Sequence, residues 1–166
     1  MSENESNIYY LDSDGSNGDN RKVRAIPQYM LDLMDQYPYD DYYEATLESL
    51  QSGELYGDEK AKRNCTILHC FLSKAIEYFA NRYYIRSIHL TKKVLRKRAK
   101  MVFFSHDNTL DATLRQLKFY GYLLLALNFY RKYANKKAIG KLRKCFKIEE
   151  NQDIQRFIMQ IKNREV

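Results

Sequence analysis

The sequence predicts an all-α fold, on three observations. Residues 61–166 are almost free of helix breakers, since both prolines precede them and only Gly121 and Gly140 fall within. Apolar residues recur there at helical spacing. One 25-residue pattern also occurs twice. The run from Tyr122 to Phe146, YLLLALNFYRKYANKKAIGKLRKCF, places Leu123, Leu124, Leu127 and Tyr130 on one helix face before a polar break, and Ala138, Leu142 and Cys145 on another after it. So short a break sends the two helices antiparallel. Upstream, Phe71 to Leu95, FLSKAIEYFANRYYIRSIHLTKKVL, aligns with it without a gap.

In both copies a small residue (Ala75, Ala126) precedes an aromatic (Tyr78, Phe129) by three, and a second small residue (Ser87, Ala138) follows that aromatic by nine. Only small side chains let two helix backbones approach closely where they cross, so Ala75 with Ser87 and Ala126 with Ala138 are the expected contact points. The pattern resembles the tetratricopeptide repeat (TPR), with Tyr122, Leu125, Ala126, Phe129, Ala138, Leu142 and Cys145 at its positions. It departs from the family at Lys74 (the leucine position), Thr91 (the later aromatic) and Glu150 (the closing proline). The copies also stand 51 residues apart, against about 34 in the family.

The resemblance implies two TPR-like antiparallel hairpins, flanked by short helices and closed by a C-terminal capping helix. It implies a non-enzymatic adaptor as well. The expected groove is lined by Tyr78, Arg82, Tyr83, Phe129, Lys132 and Tyr133, and it holds an acidic or aromatic segment of a protein partner.

Charge divides the chain. Residues 1–60 carry 14 acids against 4 bases, and residues 61–166 carry 24 bases against 7 acids. Opposite blocks can neutralise each other within one chain, so the net +7 is weak evidence for nucleic acid. Three regions follow: a disordered acidic tail over 1–24, an acidic tyrosine-rich helical arm over 25–57, and a basic all-α domain over 58–166. The arm is able to dock on the basic body.

In the tail, Ile8, Tyr9, Tyr10 and Leu11 followed by Asp12, Ser13 and Asp14 resemble the short motif by which disordered tails bind SUMO at a sheet edge. The neighbouring Asp12, Asp14, Asn17 and Asp19 do not make a calcium loop, because Asn17 stands where the obligatory glycine belongs and Val23 where the closing glutamate belongs.

In the arm, Pro27 opens a short helix over 26–37 with Met30, Leu33 and Met34 on one face. Pro38 breaks it, and Asp40 or Asp41 caps another that Gly53 ends. The body begins near Asp58. Its first helix presents Ile67, Leu68, Phe71, Leu72, Ala75, Ile76 and Phe79 as a core stripe, and its second, over 84–102, presents Ile85, Ile88, Leu95 and Val102. Asn108 caps a third helix reaching Arg131, which is apolar almost all round from Phe119 and so central. A helix over 135–146 follows, then a last one over 151–162 that offers Ile154, Phe157, Ile158 and Ile161 to the open end.

No catalytic motif is present: no phosphate-cradling glycine loop, nucleophile elbow or CxxC pair. His69, Cys65 and Cys70 lack the geometry and the fourth ligand of a metal site, so core packing explains them; no cofactor or metal is expected. The strong chemical signal is cationic. Lys92, Lys93, Arg96, Lys97, Arg98 and Lys100 form one block, and Lys136, Lys137, Lys141, Arg143 and Lys144 form the main part of another, on the second helix of each hairpin. A solvated face, a seat for an acidic peptide or for the chain's own arm, and a phosphate-backbone surface for nucleic acid all fit such blocks.

With no signal segment and no apolar run long enough to span a bilayer, the expected location is intracellular, nucleus or cytoplasm.

Overall fold

A computed structural model describes residues 23–37, 58–104 and 108–164, and these form six α-helices with no strand among them. They are α1 (Gln28–Asp35), α2 (Asp58–Ala80), α3 (Tyr84–Phe104), α4 (Asn108–Arg131), α5 (Asn135–Ile148) and α6 (Gln152–Arg164). The SUMO-type motif at Ile8 to Leu11 and the helix expected after Asp40 lie outside the described residues. No helix among the described residues is long and apolar enough to cross a membrane.

From α2 onward each helix packs on the next, and α4 also packs on α2 and α1. The centre is α4, as its all-round apolar sequence requires: every residue from Leu123 to Tyr130 is buried.

The two hairpins close with the same turn. Tyr83 N–H donates to the Tyr78 carbonyl (2.8 Å) and Arg82 N–H to that of Phe79 (3.1 Å). Fifty-one residues on, Ala134 N–H donates to Phe129 (2.8 Å) and Tyr133 N–H to Tyr130 (3.0 Å). Such a paired closure of the last carbonyls is a Schellman motif, and it needs left-handed backbone at its fifth residue. Arg82 and Tyr133 supply it, with φ of 69° and 62°.

All four small residues expected at the crossings are fully buried. At the first crossing the contact is direct, because the Ser87 hydroxyl donates to the Ala75 carbonyl (2.8 Å). The same oxygen accepts from Asn128 Nδ2 (2.9 Å), which also donates to the Leu124 carbonyl (3.0 Å). A hydroxyl has one donor and two acceptor sites, so Ser87 ties α2, α3 and α4 together at one buried point.

The α3 seam differs from expectation. Ser87, Ile88, Thr91 and Val94 are buried, while Ile85 and Leu95 are only partly covered. Thr91 reads as polar, but its hydroxyl donates to the Ser87 carbonyl one turn back (2.7 Å), so it can enter the core at little cost. In α2 the stripe is likewise shifted: Cys65 and His69 are buried, and Ile67 and Phe71 only partly.

The last helix matches its expected face, with Ile154, Phe157, Ile158 and Ile161 all buried. Asn151 caps it, its side-chain oxygen accepting from the N–H groups of Asp153 (2.9 Å) and Ile154 (3.3 Å).

The arm helix α1 joins the same core. Met30, Leu33, Met34 and the following Tyr37 are buried, and α1 rests on α4 and α6. Tyr37 reaches further, to α2, where its hydroxyl shares a hydrogen bond with His69 Nδ1. Its ring stacks on the imidazole at 5.5 Å.

Candidate anion-binding furrow

Helices α3 and α5 both pack on α4 without packing on each other. A furrow therefore lies between them, with α4 as its floor. Phe129 and Tyr122 of α4 are seven residues apart, two helical turns or about 10 Å along the axis, so they share a face.

Lysines from both walls converge on these rings. Lys92 of α3 and Lys137 of α5 hold their ammonium groups 5.9 and 5.5 Å from the Phe129 centroid. Lys141 and Lys144 of α5 lie 5.7 and 5.1 Å from that of Tyr122. A cation over a ring face is attracted by the ring's quadrupole, so the aromatic floor favours these positions for the charges. Lys141 is held below the usual lysine range, first by burial and then by Lys144, Lys92 and Lys137 in turn. Among the described residues no carboxylate forms an ion pair with any of the four.

The six residues expected to line one groove are distributed differently. Phe129 faces the furrow lysines. Tyr78 and Tyr83 meet edge to face at the first hairpin turn, 6.3 Å apart, with Lys74 over the one ring (5.3 Å) and Arg86 over the other (5.1 Å). Arg82 is exposed at that turn. Lys132 is half-buried at the second turn beside Tyr133, whose ring is engaged from the arm side by Arg24, 4.8 Å away.

Of the cationic residues singled out in the sequence, Lys92, Lys93, Arg96, Lys97, Lys100, Lys136, Lys137, Arg143 and Lys144 are exposed, and Lys141 is partly covered. Arg98 is a correction to that set. Its Nε donates to the Leu114 carbonyl (2.8 Å) and its guanidinium is half-buried, so it fastens α3 to α4 and belongs to the interior.

No motif singles out Arg24, which clasps α4 at Tyr130. Its guanidinium lies 4.0 Å from the Tyr130 ring centroid and donates to the Tyr130 carbonyl (3.3 Å) and to Asn135 Oδ1. Arg131 in turn donates to the Arg24 carbonyl. Further along, the Tyr29 hydroxyl donates to Gln160 on α6, and Arg156 lies over the Tyr29 ring at 4.2 Å. Nothing in local sequence marks Arg24, because its partners are more than 100 residues away. The side of α4 toward α1 is thus covered by the chain itself, and the furrow lies on the α3/α5 side.

The buried titratable groups are placed for packing. Desolvation pushes the Cys65 thiol up to about 12 and the Cys145 thiol up as well, away from thiolate reactivity. Desolvation also pulls His69 down to about 3. Among the described residues no group of three or more His, Cys, Asp or Glu is placed to hold a metal ion.

The chain matches no protein-family model, no curated protein and no solved structure.

Proposed function

We propose that this protein is a non-enzymatic interaction module, an adaptor built on two TPR-like hairpins, and that it holds an acidic segment of a protein partner in the furrow between α3 and α5. The observation that carries the reading is the set of four lysines around Phe129 and Tyr122, contributed by both walls and given no carboxylate by the described part of the chain. Like charges held together cost free energy that an incoming anion relieves, so charge complementarity selects the partner. The α1 helix supports the same choice of face, since it fills the α4/α6 side in cis. The expected intracellular setting and the absence of a recognisable catalytic motif fit a binding role.

The test is fluorescence anisotropy with a labelled Glu/Tyr peptide and a labelled dT30 oligonucleotide, each at about 50 and 200 mM salt. Saturable peptide binding that weakens with Lys141→Glu and with Phe129→Ala supports the adaptor. Failure of the peptide to bind the 166-residue chain at either salt concentration overturns it.

Nucleic acid is the second reading. It is favoured by the exposed bases along α3 (Lys92, Arg96, Lys100) and α5 (Lys137, Lys144), which recur about one turn or two apart on both furrow walls. That reading requires dT30 to bind more tightly than the peptide. Its affinity should then fall steeply with salt, and charge reversal at Lys97 and Lys141 should weaken it in parallel.

A further inference from the structure

We infer that the furrow recognises a phosphate monoester, the side chain of a phosphorylated residue in the partner segment, with Lys92, Lys137, Lys141 and Lys144 as its ligands. This rests on the adaptor reading and names the group that the furrow selects.

The argument starts from the number and convergence of the charges. Two ammonium groups lie within 6 Å of the Phe129 centroid and two within 6 Å of that of Tyr122. The two pairs, Lys92 with Lys137 and Lys141 with Lys144, sit at neighbouring positions two turns apart on one face of α4, and all three neighbours act electrostatically on Lys141. A single carboxylate brings one negative charge and two oxygens to such a cluster, leaving most of the repulsion in place. A phosphate monoester brings about −1.5 to −2 charges and three acceptor oxygens on one centre, enough to meet three ammonium groups at once. Lysine suits that task as a point charge on a mobile stem, where a planar arginine fork suits a fixed bidentate pair. The furrow uses lysine at all four positions, and the nearby Arg98 is turned inward to a carbonyl.

The aromatic floor separates this ligand from single-stranded nucleic acid. Base stacking needs free ring faces. Phe129 is buried, with two lysines over its ring, and the half-buried Tyr122 also carries two. The rings serve to position ammonium groups and are poorly placed as platforms for bases. The walls also carry no acid that would repel a dianion: between Lys92 and Lys100, and between Asn135 and Ile148, every charged residue is basic.

The experiment uses the whole 166-residue chain and three peptides of one sequence, a Glu/Tyr peptide with a central serine, phosphoserine or glutamate, alongside single-stranded poly(U). The phosphoserine peptide is expected to bind at least tenfold more tightly than the serine and glutamate forms, with a shift of its 31P resonance on binding. Lys92→Gln and Lys144→Gln change exposed side chains and leave folding intact; each is expected to remove most of the phosphate preference, weakening the phosphoserine form several-fold more than the serine form.

Equal affinity for all three peptides overturns the phosphate assignment and leaves the acidic-segment adaptor standing. Binding of none of them overturns both. Tighter binding of poly(U) than of the phosphopeptide, with the same lysine dependence, overturns the phosphate assignment in favour of nucleic acid.

Discussion

Arg82 and Tyr133, 51 positions apart, hold the same left-handed backbone, and the hydrogen bonds around them superimpose residue for residue. The two hairpins therefore share a turn as well as a pattern of small and aromatic residues. Neither position is glycine, the residue that such a turn admits without strain. Arg82 is exposed, so Arg82→Gly should raise stability by about 1 kcal/mol, the usual cost of a left-handed side-chain residue. Tyr133→Gly should yield less or destabilise, because the ring that receives Arg24 is lost with the strain. Urea midpoints of the two variants, measured side by side, check the difference.

Gly140 lies within α5 on an exposed face, and a Cβ built there meets no atom within 4 Å. Gly140→Ala should therefore stabilise by about 0.5–1 kcal/mol through helix propensity alone. Gly121 is the contrasting case. A Cβ there lies 2.8 Å from Leu95 Cδ2, so the gain in propensity is offset by displacement of Leu95. Thermal melts should show a rise of a few degrees for the first variant and a smaller one, or a loss, for the second.

What was legible in the sequence follows the range of the interaction. Helices and turns were readable because spacing and breakers act locally, and the small residues Ala75, Ser87, Ala126 and Ala138 were readable as buried positions, with Ser87 meeting Ala75 directly. The face of α3 was misread by about one residue, since Thr91 counts as polar until its hydroxyl is seen to bond backward along the helix. The candidate site was legible as charge and not as place. Lys92 and Lys137 are 45 residues apart in sequence, and only the packing of α3 and α5 on either side of Phe129 brings them over one ring. Arg98 looked like its neighbours in composition, yet the helix turns it inward.

The Ser87 hydroxyl links α2, α3 and α4. Ser87→Ala removes its donor to Ala75 and its acceptor for Asn128 in a buried setting. The cost should be about 1–3 kcal/mol, the penalty for orphaned polar groups. Asn128→Ala alone should also destabilise, and the double variant should fall well short of the sum, because both changes break one hydrogen bond. A double-mutant cycle by urea denaturation measures that coupling.

His69 makes stability depend on pH. Burial lowers its folded-state pKa from 6.5 to about 3, so between those values the unfolded chain binds a proton that the folded one refuses. Stability accordingly falls as pH drops through this window, with a slope approaching about 1.4 kcal/mol per unit from this group. About one unit above 6.5 the imidazole is neutral in both states and its slope has vanished. Carboxylates also titrate in the lower part of the range, so the comparison is with His69→Gln. That variant should be less stable at pH 7, where the contact to Tyr37 is lost, and should show a shallower decline between pH 6.5 and 4.5. Urea midpoints at half-unit intervals provide the measurement.

The arm helix is the remaining test of how the body is built. Met30 is fully buried, with Leu33, Met34 and Tyr37 close to it in burial, and its seat on α4 and α6 is part of the common core. If α1 were a detachable appendage, truncating Met30 would cost little. As a core side chain it should cost about 2–5 kcal/mol when cut to alanine. A chain starting at residue 58 should leave the same apolar seat open to water, including the faces of Tyr130 and Phe157, which pack edge to face at 4.9 Å. That fragment should bind an apolar dye and associate with itself, while the full chain does neither. Equal stability of Met30→Ala and the parent, or a well-behaved monomer from residue 58 onward, would show that α1 is dispensable to the core.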